Sequence, residues 1–154
     1  MGDFTHLKKG KAVMVDVTQK TPSERIAKSK AHVQTGSINL KKELSQKAQQ
    51  ELALTIRLSA IQAAKKTSEL IPLCHPLSLS FVECEVEFKE NKILIICTAK
   101  TKNTTGVEME AMVGASIGAL TAYDMIKSKC RDTSIEKIEL VYKEGGKSGV
   151  WKRT

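Results

Sequence analysis

The sequence predicts an α+β fold in which two long helices pack on one face of an antiparallel sheet. Apolar residues recur with helical spacing over 43–68 and 108–129, and strand-like runs follow at 77–88, 93–100 and 134–143. A first strand is predicted around Ala31–Thr35. The resulting split β-α-β-β-α-β order is typical of the ferredoxin-like fold.

The first long helix has one polar stripe, formed by Thr55, Ser59, Gln62 and Lys66. Arg57 points about 200° away from this stripe, among alanine and isoleucine side chains. We therefore expect the apolar side of the helix, with Arg57 in its middle, to be buried in the fold or at an interface. Arg57 could be the buried ion-pair partner of an acid such as Glu110. Pro72 requires the helix to stop before it.

The run "LSLSFVECEVEF" alternates with period 2, but its phase changes at Phe81–Val82. The change predicts a bulge or a bend at that point. The run "ILIICTAK" predicts a second, more deeply buried strand, and "TKNTTG" at 101–106 predicts a loop. The stretch "KENK" at 89–92 predicts the turn between the two strands.

The length of 154 residues indicates one domain, with an N-terminal arm at 1–24 and a flexible basic tail at 144–154. A formal net charge of +8 indicates an anionic partner, which could be a nucleic acid, a phosphorylated metabolite or a membrane surface. Aromatic residues make up only 4% of the chain, too few for the base-stacking surface of an RNA-binding ferredoxin-like sheet. An RNA-binding module is therefore disfavoured.

The four cysteines, Cys74, Cys84, Cys97 and Cys130, are widely spaced and form no C-x-x-C pair. This spacing argues against a zinc site and for reduced thiols. The N-terminus has no apolar core typical of a secretory signal, and no long apolar run is present. We expect a cytoplasmic protein that binds no membrane.

The stretch "LIPLCHPL" holds Cys74 and His75 between Pro72 and Pro76. The prolines predict a stiff, non-helical segment with fixed side-chain directions. His75 could be a hydrogen-bonded structural residue or a reactive group. Metal binding is not expected, because no carboxylate or cysteine stands at ligand spacing from it.

On the second long helix, Glu110, Ile117 and Asp124 share one side, and Lys127 lies one turn beyond Asp124. Asp124 and Lys127 could form a surface ion pair or an acid–base pair with perturbed pKa values. Glu110 and Asp124 lie about 21 Å apart along the helix, at about 1.5 Å per residue. Both residues can belong to one site only if the substrate is long enough to reach both or if a second subunit completes the site.

The stretch "GGKSG" does not match a phosphate-binding P-loop, because Val141 stands where the first glycine is needed. Two interpretations remain for it. The tail is either disordered or a mobile basic flap in which Lys147 and backbone amides bind an anion.

The motifs "MVDVTQK", "IQAAKKTSELIPLCHPL", "TGVEMEA", "LTAYDMIK" and "GGKSG" together resemble the molybdenum cofactor biosynthesis protein C (MoaC) family, from about Thr5 to Trp151. The resemblance implies a ferredoxin-like fold and a homohexamer, arranged as a trimer of dimers with sites at the dimer interface. It also implies lyase activity, as a cyclic pyranopterin monophosphate synthase. The implied partner is a small molecule, with no nucleic acid and no membrane.

The substrate implied by the resemblance is (8S)-3′,8-cyclo-7,8-dihydroguanosine 5′-triphosphate, a cyclised dihydro derivative of GTP. Its products are cyclic pyranopterin monophosphate and diphosphate. No tightly bound cofactor is implied, and Mg²⁺ accompanying the triphosphate stays an open alternative. By resemblance Asp124 and Lys127 are catalytic, and the residues that contact the substrate are Leu73, Cys74, His75, Glu108, Met109 and Glu110. Candidates for the triphosphate are Lys65, Arg25 and Lys147.

One departure from the family pattern concerns the start of the first long helix. Family members carry a Lys-Gly pair there, whereas this chain has Gln49-Gln50. Lys47 could replace the lysine in catalysis if the segment before about Gln50 is a loop that turns Lys47 toward His75 and Asp124. The alternative is a catalytically silent homologue that binds the same ligand.

Overall fold

The computed structural model describes residues 4–154. Its helices are α1 (Leu40–Glu43), α2 (Gln46–Lys65), α3 (Thr67–Leu70) and α4 (Glu108–Ile126). Its strands are β1 (Leu7–Lys8), β2 (Lys11–Ala12), β3 (Ser23–Gln34), β4 (Phe81–Phe88), β5 (Lys92–Asn103), β6 (Ser134–Glu144) and β7 (Trp151–Lys152).

One sheet has the strand order β4-β5-β3-β6-β7, and every neighbouring pair in it is antiparallel. Strands β1 and β2 form a separate small hairpin. The order β3-α2-β4-β5-α4-β6 confirms the predicted α+β, ferredoxin-like arrangement.

The first strand is much longer than predicted, because it covers Ser23–Gln34 rather than Ala31–Thr35. Ala27, Ser29, Ala31 and Val33 are fully buried, while Lys28, Lys30 and His32 occupy the positions between them. Small alanine and serine side chains carry little hydrophobic signal, so this strand reads as a polar segment in the sequence. Small side chains suit these positions because helix α4 packs directly against this face of β3.

The two long helices run antiparallel and pack closely, because glycines on α4 meet alanines on α2. A Cβ added to Gly114 would lie 3.1 Å from the Ala60 carbonyl oxygen, and one added to Gly118 would lie 3.4 Å from the Ala60 Cβ and 3.5 Å from Ile56 Cγ2. Later positions on α4 therefore meet earlier positions on α2. The N-terminal end of α2 therefore lies beside the C-terminal end of α4.

The single predicted helix over 43–68 is instead three helices. Ser45 caps α2, because its hydroxyl accepts a hydrogen bond from the Ala48 amide at 3.2 Å. The prediction that the segment before Gln50 is a loop is therefore wrong. Arg57 is exposed, beside strand β4 rather than beside Glu110, so its interpretation as a buried partner of Glu110 is also wrong.

The predicted bulge at Phe81–Val82 is absent. Strand β4 begins at Phe81 and pairs with β5 in one continuous register. The phase change therefore marks the strand start rather than an irregularity inside it. Register shifts occur instead between β3 and β6, at Lys28/Ser29 and at His32/Val33.

Part of the predicted flexible tail is a strand. Trp151 and Lys152 pair with Lys143 and Tyr142 of β6, and the Arg153 amide donates to the Val141 carbonyl at 3.0 Å. A turn of glycines with positive φ, Gly145 and Gly146, lets the chain reverse direction before this strand. In the part of the chain from Phe4 onward, no helix has the length and apolarity required to cross a membrane.

Candidate functional site

A pocket of about 320 Å³ lies at the N-terminal end of α4, beside the stretch of chain that follows α3. Three segments of the chain line it. They are the stretch after α3 (Leu73, Cys74, His75 and Leu77), the start of α4 (Thr105, Gly106, Glu108, Met109 and Glu110) and the N-terminal arm (Thr5, His6, Val15 and Lys20). The fold thus brings together the six residues predicted to contact the substrate at 73–75 and 108–110.

The stretch after α3 is non-helical and is fixed at both ends. The Cys74 amide donates to the Ile71 carbonyl at 3.1 Å, which forms a tight turn before His75. Further along, the Thr101 hydroxyl donates to the Ser78 carbonyl at 2.6 Å, and the Ser80 amide donates to the Lys100 carbonyl at 2.9 Å. His75 is therefore held in a rigid loop, as the flanking prolines predict.

Glu110 is the buried carboxyl group of the pocket, with only 4% of its surface exposed. Burial raises its pKa to about 7, because the charged carboxylate loses hydration, and the neighbouring Glu108 adds to the rise. Burial also raises the pKa of the Cys74 thiol, with a smaller contribution from Glu110. A carboxyl group with this pKa can both donate and accept a proton near neutral pH.

The N-terminal arm supplies pocket residues that the sequence patterns did not predict. Lys20 brings an ammonium group and His6 an imidazole to the lining of the pocket that also holds His75 and Glu110. The Asp16 carboxylate accepts hydrogen bonds from the Thr18 amide at 2.9 Å and from the Thr18 hydroxyl at 2.6 Å, which fixes the turn before Lys20. These bonds also lower the pKa of Asp16. The signal available in the sequence was this Asp-x-Thr turn within "MVDVTQK".

Arg25 lies in a neighbouring depression that shares Gly106 and Glu108 with the pocket. A Cβ at Gly146 would overlap the Arg25 guanidinium group, so the glycine turn packs directly against this cation. Lys143 donates to the Glu108 carboxylate at 3.2 Å, and both side chains are about one third exposed. Lys147 is exposed in the turn that follows and does not line the pocket.

The remaining predicted catalytic residues lie at the other end of the helix layer. Lys127 donates to the Asp124 carboxylate at 2.6 Å, and this bond raises the pKa of Lys127. Both side chains are more than half exposed. Since α2 and α4 run antiparallel, Lys47 near the start of α2 also lies at this end, away from His75 of the same chain.

Lys47 and Gln49 both belong to the first turns of α2. The Lys47 ammonium lies 3.9 Å from the Glu51 carboxylate, and its side chain is 84% exposed. The Gln49 side-chain amide donates to the Leu44 carbonyl at 3.0 Å and to the Lys41 carbonyl at 3.3 Å. Gln49 therefore ties the junction between α1 and α2. Lys65 is exposed and lines a different depression, beside Leu77–Val82.

A buried acid with a pKa near neutrality, a rigid histidine and cations on the rim form a site suited to proton transfer on a phosphorylated ligand. Comparison with known proteins agrees with the motifs that line this site. A sequence model of the MoaC family matches residues 14–146 of the 154. The match includes His75, Glu110, Asp124 and Lys127. This chain therefore belongs to the MoaC family, which implies a role in molybdenum cofactor biosynthesis.

Proposed function

We propose that this chain is a cyclic pyranopterin monophosphate synthase, which converts the cyclised dihydro derivative of GTP to cyclic pyranopterin monophosphate and diphosphate. The observation that carries the proposal is the pocket that joins Cys74 and His75 to the buried Glu110. The motifs "LIPLCHPL" and "TGVEMEA", which carry the family resemblance, supply both of its inner walls.

The reaction needs several proton transfers, because the purine remnant must open and close again as a pterin. Glu110 suits this work, since a pKa of about 7 leaves both of its protonation states populated at neutral pH. His75 lines the same pocket and adds an imidazole, the side chain that most often transfers protons in enzymes.

Cyclisation also requires an internal hydroxyl to attack the α-phosphate and to expel diphosphate. Lys20 and His6 on the pocket rim and Arg25 in the adjoining depression would stabilise the negative charge that moves to the leaving group. Lys147, in the turn beside Arg25, would complete this set on a bound ligand. We propose that no cofactor is tightly bound and that any Mg²⁺ ion arrives with the triphosphate.

The proposed site requires a second copy of the chain. Asp124 lies about 21 Å from Glu110 along α4, and Lys127 at the end of the helix lies about 25 Å away, too far for one small group. In a dimer with twofold symmetry, the end of α4 from one copy can meet the pocket of the other, and two identical sites result. Exposed apolar side chains on the outer helix surfaces, Leu54, Leu58, Leu120 and Met125, support burial by further copies, as in a homohexamer.

The decisive experiment incubates the purified protein with the cyclised GTP intermediate and follows pterin fluorescence together with released diphosphate. We expect both signals to rise at the same rate. The His75→Ala variant, which should fold normally because its side chain lines a pocket, is expected to lose both signals. Release of neither product from the wild-type protein would reject the proposed reaction.

A second candidate function is a catalytically silent homologue that binds the same ligand. The specific observation in its favour is that α2 already begins at Gln46, so Lys47 is rotated by about 200° from position 49 on the helix. No lysine then occupies the family position. Binding of the intermediate without turnover would support this second function.

A further inference from the structure

The sheet face opposite the helices carries a cavity of about 580 Å³. Ala27 and Ala31 of β3 point toward the helices, so the alternate residues Ile26 and Lys28 point to this open face. Thr98 forms part of its floor and is only 4% exposed. The cavity shares no lining residue with the pocket at His75.

Four basic side chains from different strands converge on this cavity: Lys28 of β3, Lys100 of β5, Lys152 of β7 and Arg153 just beyond it. Among residues 4–154, no carboxylate lies within 4.0 Å of the ammonium groups of the three lysines. Arg153 contacts the Glu139 carboxylate at 3.1 Å, and Glu83 is the carboxylate that lines the cavity itself. The cavity therefore holds more positive charge than the protein neutralises.

Two of these ammonium groups are held in place by aromatic rings. Lys100 lies 4.9 Å from the centroid of the Phe81 ring, and Lys152 lies 5.8 Å from that of Tyr142. Such cation–π contacts fix the direction of otherwise flexible side chains. They also occupy ring faces on which the bases of a single-stranded nucleic acid would stack. The arrangement therefore favours small anions over RNA.

We propose that this cavity binds a small phosphorylated anion, with a diphosphate or triphosphate group among the three lysines. Several unneutralised ammonium groups suit a ligand that carries several negative charges. The volume lies within the range of small-molecule sites, and Ile26 and Val141 provide an apolar wall for the rest of such a ligand. The site is independent of the reaction proposed at His75.

Trp151 makes the proposal directly testable, because it is the only tryptophan of the chain and directly precedes Lys152. We expect inorganic diphosphate to change its fluorescence saturably, with a stoichiometry of one per chain by calorimetry. The Lys28→Ala and Lys100→Ala variants should each weaken this binding about tenfold, since each loses one charge-assisted contact. The matched control is Lys30→Ala, two residues further along β3 and outside the cavity lining, which should change the affinity less than twofold.

Several outcomes would overturn the proposal. They are the absence of saturable binding, an equal loss in the Lys30→Ala and Lys28→Ala variants, and tighter binding of a single-stranded oligonucleotide than of diphosphate. A loss in Lys20→Ala without a loss in Lys28→Ala would also overturn it, because the anion would then occupy the pocket at His75. GTP, tested in parallel, distinguishes two outcomes that both support the proposal. If GTP binds more tightly than diphosphate, the ligand of the cavity is a nucleotide. If the two bind equally, the cavity recognises the phosphate groups alone.

Discussion

The two ends of α4 carry acidic residues of the same helical face in very different surroundings. At the first turn, Glu110 is almost fully buried, and its pKa is raised to about 7. At the last turn, Asp124 is 69% exposed and bonded to Lys127. The helix period sets the direction of both side chains, but burial depends on what covers each end. The loop with His75 and the N-terminal arm cover only the first.

This difference suggests a division of roles. One end is a preformed pocket with a carboxyl group that titrates near neutral pH. The other is an exposed cluster of an acid and an amine, available to a second copy of the chain. The predictions that follow test whether these two ends are halves of one site.

The largest effect is expected at the exposed end. Asp124→Asn and Lys127→Ala should each reduce turnover of the cyclised GTP intermediate about 100-fold or more, because each removes a proposed proton-transfer group. The melting temperature should change little, since exposed ion pairs contribute little stability. Pterin fluorescence and thermal unfolding provide the two measurements. Lys89→Ala, which breaks another exposed pair with Glu87, is the control and should keep full activity.

A near-normal rate in either Asp124→Asn or Lys127→Ala would show that the exposed pair has no part in the reaction. The two ends of α4 would then be unrelated, and the pocket at His75 would have to act alone.

The next effect concerns the start of α2, beside this exposed end. Because the helix begins at Gln46, we expect Gln49→Lys to raise turnover about tenfold or more by restoring an amine at the family position. Lys47→Ala should change turnover less than threefold. Steady-state rates of both variants provide the test. If Lys47→Ala instead loses most of its turnover and Gln49→Lys gains none, Lys47 performs the role of the family lysine.

Hybrid assemblies test the two ends together. Asp124→Asn and His75→Ala chains are each expected to be inactive, but half of the sites in a mixed dimer would contain neither change. Random mixing after dissociation should restore about a quarter of wild-type activity, given two identical sites per twofold dimer. The measurement is turnover against mixing ratio, with sedimentation as a check of assembly. A fully active monomer would contradict shared sites.

The smallest effect is a pH-dependent change in stability at the buried end. A carboxyl group whose folded-state pKa is raised from 4.5 to about 7 binds more protons when folded. The free energy of unfolding therefore falls as pH rises through this window. The Glu110→Gln variant should not lose stability in this way, so it should be more stable than the wild type at pH 8 by about 1–2 kcal/mol. This is less than the free energy that corresponds to the full pKa shift, because water that enters the pocket hydrates part of the charge.

Urea unfolding at pH 4 and pH 8 measures this effect. The two proteins should have similar stability at the lower pH, where Glu110 is largely protonated in both the folded and the unfolded state. Glu108→Gln is the control and should show no such gain at pH 8. Equal stability of wild type and Glu110→Gln at both pH values would mean that the buried carboxyl group is fully hydrated.

Local patterns in the sequence predicted much of this protein. Period-2 alternation indicated β4 and β6, and helical spacing indicated α2 and α4, because strands and helices expose alternate faces at fixed intervals. The paired prolines around Cys74 and His75 predicted a stiff loop. The motifs of the same segments indicated the family. These features depend on neighbours along the chain, so they can be read without the fold.

Only the tertiary structure decided which residues meet and which are buried. The small residues of β3 became a central strand because α4 covers them, and Trp151–Lys152 became a strand because β6 offers a free edge. His6 and Lys20 reached the pocket through a contact between distant segments, and Glu110 and Asp124 received opposite environments on one helical face. Periodicity fixes the direction of a side chain. Burial and charge pairing depend on parts of the chain that are far away in sequence, and for this reason only the folded chain determines them.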